Sequence, residues 1–209
     1  MSDYEEEDEK WVQWFCSLAG NEHFCEVAQS YIEDSFNLYG LRALVPNYQD
    51  ALNIILDMTD IPYDEDVPAY AAELYGLIHA RYIITAHGLD AMLKKYKEGD
   101  FGVCPRALCD GQPVVPAGLH DEWKKSELKL TLKCSLGCVA VDGAYFGTTF
   151  PHLFFMTYRE LEPAPSTLLY VPRRRTVAGA RRKGDDEPTA AAADPALAAS
   201  RLKKRKQEG

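Results

Sequence analysis

Apolar residues recur every three or four positions through most of the first half of the chain, which is the spacing of amphipathic helices. The strongest pattern covers Ala69–Ala86, which carries a wide apolar stripe. Gly88 is expected to end this helix, and Asp90 to cap a following helix over Ala91–Lys97, which ends at Gly99. The pattern predicts an all-helical domain over residues 11–98. Shorter helices are predicted over Trp11–Leu18, over Val27–Phe36 and after Pro46.

After Phe101 the pattern changes to short β-like runs that are broken by glycine and proline. Such runs are typical of a three- or four-stranded antiparallel ribbon, here expected within residues 99–172. The fold class predicted for the whole chain is therefore α+β. The runs are Val114–Val115, Leu128–Leu132 and Phe150–Tyr158.

The net charge of −9 over 209 residues conceals an asymmetry between the body and the C-terminal segment. Residues 173–209 carry 11 Lys+Arg against 5 Asp+Glu, so residues 1–172 have a net charge of −15. Low complexity in the basic segment predicts a disordered tail, and the acidic residues 1–10 predict a disordered arm. An acidic body argues against a nucleic-acid binder, which spreads positive charge over its folded face.

The sequence contains few segments of the kind that direct a protein to a membrane or a compartment. No apolar run approaches the length of a membrane span, and no apolar targeting run opens the sequence MSDYEEEDEK. We expect a cytoplasmic and nuclear protein without a membrane partner. The basic clusters RRR, RRK and KKRK suit nuclear-import signals, although a solvated tail explains them equally well.

Four of the six cysteines form two close pairs, Cys104/Cys109 and Cys134/Cys138. Two pairs of thiols on opposed turns suit a tetrahedral ion, and Zn²⁺ is the usual ion for four thiolates. Without a nearby histidine or glutamate signature, the site is expected to be structural and to hold one zinc per chain. Buried small thiols, or disulfides in a secreted protein, are the alternative interpretations.

The sequence contains no P-loop, no G-x-S-x-G, no H-E-x-x-H and no kinase-type loop motif, so we expect no enzyme.

Thr59–Pro68 is a proline-bounded acidic segment that suits either an exposed connection or a docking surface for basic ligands. Ser2 is followed by acidic residues, as in sites of acid-directed kinases. His79 and His87 are expected to serve packing or capping, because His79 has no acidic or thiol partner at helical spacing.

Five segments together resemble the regulatory (beta) subunit of the protein kinase casein kinase II. They are WFCSLAGNEHFCEV, YIEDSFNLYGL, AAELYGLIHARYIITAHGLDAML, KYKEGDFGVCPRALC and DGAYFGTTFPHLFFM, and the resemblance runs from about Trp11 to Arg173. It implies a helical domain followed by a zinc ribbon through which two chains form a homodimer. It also implies that this dimer binds two catalytic (alpha) subunits, stabilises them and selects their substrates without doing chemistry itself.

The resemblance assigns roles to individual residues. It makes Cys104, Cys109, Cys134 and Cys138 the zinc ligands. It places an acidic loop for polyamines and basic protein segments at Asp64, Glu65 and Asp66, and an autophosphorylated N-terminus at Ser2. It places the kinase-contacting segment at Tyr170, Val171, Pro172 and Arg173.

The residues after this segment leave a second hypothesis open. The family has paired aromatic residues there, whereas this chain continues with Arg174, Arg175, Thr176 and Val177. Because buried aromatic side chains are the usual anchors of an interface, their loss favours a diverged zinc-ribbon adaptor that keeps the dimer but binds the kinase weakly or not at all.

Overall fold

Five α-helices follow one another between Trp11 and Glu98 in the computed structural model of the chain, which describes residues 9–58, 64–105, 111–131 and 135–162. A 3-10 turn at Leu41–Ala43 separates the second helix from the third, and the described part of this stretch contains no strand. The helices are α1 (Trp11–Ser17), α2 (Gln29–Glu33), α3 (Tyr48–Ile55), α4 (Val67–Tyr82) and α5 (Ala86–Glu98).

Helix α4 is the centre of the hydrophobic core. Its residues Leu74, Tyr75 and Ile78 are completely buried. Because apolar residues occur on more than one side of α4, the helix is surrounded by other elements and does not lie on the surface. Helix α3 packs along it with the buried residues Ala51 and Ile55.

The boundary between α4 and α5 differs from the sequence prediction. Helix α4 ends at Tyr82, and Thr85 caps α5 by accepting a hydrogen bond from the backbone N–H of Gly88 at 3.2 Å. Gly88 therefore lies in the first turn of α5 and does not end α4, and Asp90 is not the cap. The glycine is needed because a Cβ atom there would come within 2.0 Å of the carbonyl oxygen of Tyr82. The predicted stop at Gly99 is confirmed, at φ +86°.

A three-stranded antiparallel sheet follows the helices, with strand order β1-β2-β3. Its strands are β1 (Val115–Ala117), β2 (Glu127–Thr131) and β3 (Ser135–Asp142). Register shifts interrupt the pairing of β2 with β3 at two places, so the hairpin is irregular. The predicted runs at Val114–Val115 and Leu128–Leu132 correspond to β1 and β2, and the antiparallel arrangement is confirmed.

The run Phe150–Tyr158, predicted as a strand, is a helix. Phe150–Thr157 forms α6, with Pro151 in its first turn, where proline is well tolerated. A continuous apolar run has no period that distinguishes a buried strand from a buried helix. Phe150 and Phe154, one helical turn apart, are completely buried with ring centroids 5.5 Å apart, and α6 packs against β1.

The α+β class is confirmed. Helices and sheet share one core cluster, which includes Phe24 before α2, Leu128 on β2 and Phe146 after β3. None of the helices in the described ranges is long and apolar enough to cross a membrane. The zinc in the ribbon remains a prediction, and residues 1–8 of the predicted arm and the tail at 173–209 lie outside the described residues.

Candidate functional site

The DGAYFG segment after β3 is seated on helix α4. Gly143–Tyr145 forms a 3-10 turn, and the ring of Tyr145 lies directly on Gly76 of α4. A Cβ atom on Gly76 would come within 2.4 Å of the Tyr145 ring, so only glycine leaves room for this contact. The helix is therefore shaped to receive this segment, which places the sheet against the helices.

His79 joins α4 to the same turn by two hydrogen bonds. Its Nε2 atom accepts the backbone N–H of Cys25 at 3.2 Å, and its Nδ1 atom lies 2.8 Å from the carbonyl oxygen of Tyr145. An atom that accepts from an N–H carries no proton, so Nδ1–H must donate to Tyr145 and the neutral ring is fixed in one tautomer. Burial lowers the pKa of His79 to about 4. The predicted packing role is confirmed.

Tyr75, one turn before His79, holds the segment that precedes α2. Its hydroxyl donates to the carbonyl oxygen of Cys25 at 2.9 Å and accepts the backbone N–H of Val27 at 3.1 Å. The Cys16 thiol lies 3.5 Å from the same hydroxyl. Burial raises the pKa of the Cys25 thiol to about 12 and also raises the pKa of Cys16. Both thiols therefore stay protonated, and they are poor nucleophiles and poor metal ligands.

The structure places two of the four predicted zinc ligands. Cys104 is buried and free of disulfides, and its backbone N–H donates to the carbonyl oxygen of Gln112, three residues before β1, at 2.8 Å. The backbone of Cys138 lies on β3 opposite Lys129. Cys109 and Cys134 lie outside the described residues. Among the residues that are described, no three His, Cys, Asp or Glu side chains are grouped to hold a metal.

The donor set is chemically suited to zinc. Four thiolates without an imidazole or a water position form the closed tetrahedral set of structural zinc sites. The buried Cys104 thiol, whose own backbone N–H is hydrogen-bonded to Gln112, fits one corner of such a set. Cys16 and Cys25 are engaged with Tyr75 and His79 in the helical part, and are therefore not alternative ligands.

The acidic residues Asp64, Glu65 and Asp66 lie immediately before α4 and are exposed. Asp66 occupies the N-cap position without a side-chain cap hydrogen bond. Carboxylates at this end of a helix are stabilised by the helix dipole, so part of their charge is compensated by α4. Ser2 and the segment Tyr170–Arg173 lie outside the described residues.

An apolar groove between the sheet and α6 was not anticipated from the sequence. It has a volume of about 720 Å³. Met156 is 67% exposed and Leu119 is 45% exposed at its surface. Once α6 is taken as a strand, no helix remains to form one wall of such a groove, which is why the groove was missed. Its apolar lining includes Ala117, Leu119, Pro151, Phe155 and Met156, and its polar lining is Lys129, Thr131, Thr148, His152, Arg159 and Glu162.

A second exposed apolar feature is the loop after α2. Phe36 and Tyr39 are each 84% exposed. Arg81 of α4 holds the backbone of this loop, because its Nη1 atom donates to the carbonyl oxygens of Asn37 at 2.8 Å and Tyr39 at 2.9 Å. The backbone that carries the exposed Phe36 and Tyr39 side chains is therefore held in place by Arg81.

Comparison with known proteins assigns the family. The sequence model described as "Casein kinase II regulatory subunit" matches residues 10–179. Casein kinase II subunit beta of Schizosaccharomyces pombe is 49% identical over 185 residues, which cover 82% of this chain and 80% of that protein. Casein kinase II subunit beta-3 of Arabidopsis thaliana is 47% identical over 83% of this chain and 68% of its own length. Casein kinase II subunit beta' of Drosophila melanogaster is 43% identical over 80% of this chain and 82% of its own length.

These matches define a regulatory rather than a catalytic class of chain. The match spans the helices, the cysteine-bearing sheet and α6 without interruption. The chain belongs to the casein kinase II regulatory subunit family, and it is a non-catalytic chain. The resemblance expected from the sequence is confirmed.

Proposed function

We propose that this chain is the regulatory subunit of a casein kinase II holoenzyme, in which it forms a homodimer, binds the catalytic subunit, stabilises it and modulates its activity and substrate choice. The observation that carries the proposal is the family match over residues 10–179, which includes both the helical part and all four paired cysteines. Relatives named as beta subunits, at 43–49% identity over most of their length, support it.

A structural zinc ion held by Cys104, Cys109, Cys134 and Cys138 is part of the proposal. The short sheet supports a need for metal, because β1 has three residues and the β2–β3 hairpin has an irregular register. Small irregular sheets gain much of their folding free energy from a bound ion. When bound, zinc would cross-link the chain before β1 to the β2–β3 hairpin. Its role would be structural and not catalytic.

Dimerisation through the ribbon is the second part. The groove between the sheet and α6 supports this role, because exposed apolar side chains rimmed by polar residues are typical of protein–protein interfaces. Met156 and Leu119 would be covered by the partner chain. We assign the segment Tyr170–Arg173 to the contact with the catalytic subunit, as the family resemblance implies.

The test is functional reconstitution with a purified casein kinase II catalytic subunit. The proposal requires the chain to raise the thermal unfolding midpoint of the catalytic subunit and to change its rate on a peptide substrate. A chain that changes neither quantity at concentrations at which it is folded would contradict the proposal.

For the exposed residues Asp64, Glu65 and Asp66 we propose binding of polyamines or basic protein segments. The net charge of −15 over residues 1–172 supports attraction of cations to this body. Replacing all three residues by Asn and Gln should weaken spermine binding and reduce its salt dependence. Unchanged binding in the triple variant would assign spermine to another site.

Two further assignments complete the proposal. Ser2, followed by acidic residues, is a phosphorylation site, and the protein is distributed between cytoplasm and nucleus with the basic clusters as import signals. Mass spectrometry after incubation with the catalytic subunit tests Ser2 against the Ser2→Ala variant. Loss of nuclear signal after Lys203–Lys206 are replaced by Gln tests the last cluster.

The second candidate is a diverged adaptor that keeps the dimer but has weak or no kinase binding. It is favoured by the absence of Tyr or Phe among Arg174, Arg175, Thr176 and Val177. A variant with Thr176→Tyr and Val177→Phe separates the two functions. If wild type already binds the catalytic subunit tightly, the adaptor hypothesis fails; if only the variant binds, the regulatory proposal fails.

A further inference from the structure

Lys124 is held in an unusual position at the edge of the sheet. Its ammonium group lies 3.9 Å from the centroid of the neighbouring Trp123 ring and 3.1 Å from Oε1 of Glu73 on α4. Its backbone has φ +60°, a conformation that costs energy for a residue with a side chain. The backbone N–H of Lys124 donates to Asp142 at the end of β3, which fixes that conformation.

These residues border a cleft with aromatic walls between α4 and the sheet. The cleft has a volume of about 350 Å³ and is lined on the helical side by Phe15, Phe24 and Glu73. On the sheet side Trp123 donates its indole N–H to the hydroxyl of Tyr145 at 3.2 Å, so its ring is held in one orientation. The cleft around Lys124 is therefore formed by residues of both the helical part and the sheet.

Glu73 provides the second sign of a ligand. Its Oε2 atom is buried and has no hydrogen-bond partner among the described residues, although Oε1 is paired with Lys124. Buried carboxylate oxygens are almost always satisfied by a donor. An ammonium group carries three donors and no acceptor, and it is attracted by the face of an indole ring. Within the described part of the chain the Glu73 carboxylate therefore lacks a second N–H donor, and an ammonium that takes the place of Lys124 has enough donors for both oxygens.

The geometry points to a recognition site for a primary alkylammonium group of the lysine type, formed by Glu73 and Trp123 and occupied in the free chain by Lys124. The ammonium of Lys124 marks the position of the ligand's cation. The Lys124 side chain is 65% exposed, so it can leave the cleft for solvent, whereas Glu73 is only 22% exposed and stays in place for the incoming ammonium. The site is distinct from Asp64–Asp66, and it does not depend on kinase binding.

A merely structural ion pair between Lys124 and Glu73 is the competing explanation. The two explanations predict different amine affinities when Lys124 is replaced. If the cleft is a recognition site, Lys124→Met removes the internal competitor and increases affinity for an added ammonium. If the pair only connects the sheet to α4, the replacement leaves the affinity of the chain for amines unchanged.

The probes are n-butylammonium and Nα-acetyl-lysine methylamide, titrated into the full chain. The signal is the indole N–H resonance of Trp123, one of three tryptophans, which Trp123→Phe identifies by its disappearance. We expect the Lys124→Met variant to bind either probe about tenfold more tightly than wild type, the size of one cation–π contact or ion pair. Glu73→Gln in the same background should reverse the gain.

Lys125→Met is the matched control, because Lys125 carries the same charge but pairs with the exposed Glu122 at 3.2 Å. It should bind the probes as wild type does. Lys124→Gln repeats the test if the methionine variant does not fold. Binding of both probes shows that the ammonium alone is recognised, and binding of the lysine derivative alone shows that its peptide groups contribute. Equal affinity of wild type, Lys124→Met and Lys125→Met, or full retention of affinity after Glu73→Gln, would overturn the proposal.

Discussion

The ring of Tyr145 lies on the bare backbone of Gly76, at the point where the segment after β3 meets helix α4. No side chain separates the two residues, since a Cβ on Gly76 would come within 2.4 Å of the ring. Three residues later on α4, His79 hydrogen-bonds the carbonyl oxygen of the same tyrosine. This contact fixes where the cysteine-bearing sheet stands on the helices.

Replacing Gly76 with alanine tests this contact. The methyl group must displace the Tyr145 ring, and overpacking of this kind costs about 1–3 kcal/mol, even though alanine alone favours a helix by about 1 kcal/mol over glycine. We therefore expect a lower free energy of unfolding in urea. In a Tyr145→Ala background the sign should reverse, because only the helix propensity remains. A Gly76→Ala replacement that destabilises the Tyr145→Ala variant as much as it destabilises wild type would contradict the contact.

The buried His79 predicts a loss of stability in acid. Its pKa is about 4 in the folded chain, whereas an unfolded histidine has a pKa of about 6.5. Between these values the unfolded state binds the extra proton, so the stability is fully present above about pH 6.5 and falls as the pH is lowered towards 4. Across this pH range the protonation of His79 lowers the free energy of unfolding by about 3 kcal/mol in total.

Urea unfolding of wild type and His79→Gln from pH 7.5 to 4.5 measures this contribution. The variant should be less stable at neutral pH, because a flexible glutamine amide does not reproduce the positions of both ring nitrogens, but its stability should depend less on pH. The difference between the two chains removes the contribution of His23, whose pKa burial also lowers. Parallel pH profiles would contradict the assignment of His79 as buried and neutral.

The proposed metal site predicts about one zinc per chain by metal analysis. Cys134→Ser should abolish both the bound zinc and dimerisation, because the ion supplies folding free energy to a small sheet. The matched control is Cys16→Ser, since that thiol is half-buried beside Tyr75 in the helical part. It should retain zinc. A soluble dimer without metal would rule out the four-thiolate site.

Arg81 predicts a change in the loop that carries Phe36 and Tyr39. Arg81→Met removes the two hydrogen bonds to the carbonyl oxygens of Asn37 and Tyr39 and should cost about 1–3 kcal/mol. Hydrogen exchange of residues 35–41 should accelerate, while exchange in α5 should not change. Arg81→Lys should restore little, because the lysine ammonium lies one bond nearer the backbone than Nη1, the single atom that reaches both carbonyls. Unchanged exchange in the loop would show that the guanidinium does not hold it.

The helical half and the antiparallel sheet were predictable because their signals are local. The apolar stripe of α4, the glycine at the end of α5 and the short runs of β1 and β2 all lie within a few residues of the elements that they specify. Helix α6 was not predictable in this way, since its apolar run is uniform and its burial against β1 decides its conformation. Thr85 was missed as a cap because Gly88, four residues after Ile84, looked like a stop signal.

The site was predictable only in part, and for the same reason. The cysteine pairs and the acidic residues before α4 are visible as spacing and composition. The relationships of Tyr145 with Gly76 and of Lys124 with Glu73 join residues about fifty or more positions apart, and no local pattern records them. His79 could be recognised as a packing residue, but its partners Cys25 and Tyr145 follow only from the tertiary structure.

Light scattering coupled to size-exclusion chromatography, on the chain alone and mixed with a casein kinase II catalytic subunit, tests the regulatory-subunit proposal most directly. We expect a dimer that shifts to a complex of two regulatory and two catalytic chains. A dimer that leaves the catalytic subunit unbound would contradict the proposal and favour the adaptor, and a monomer that leaves it unbound would contradict both.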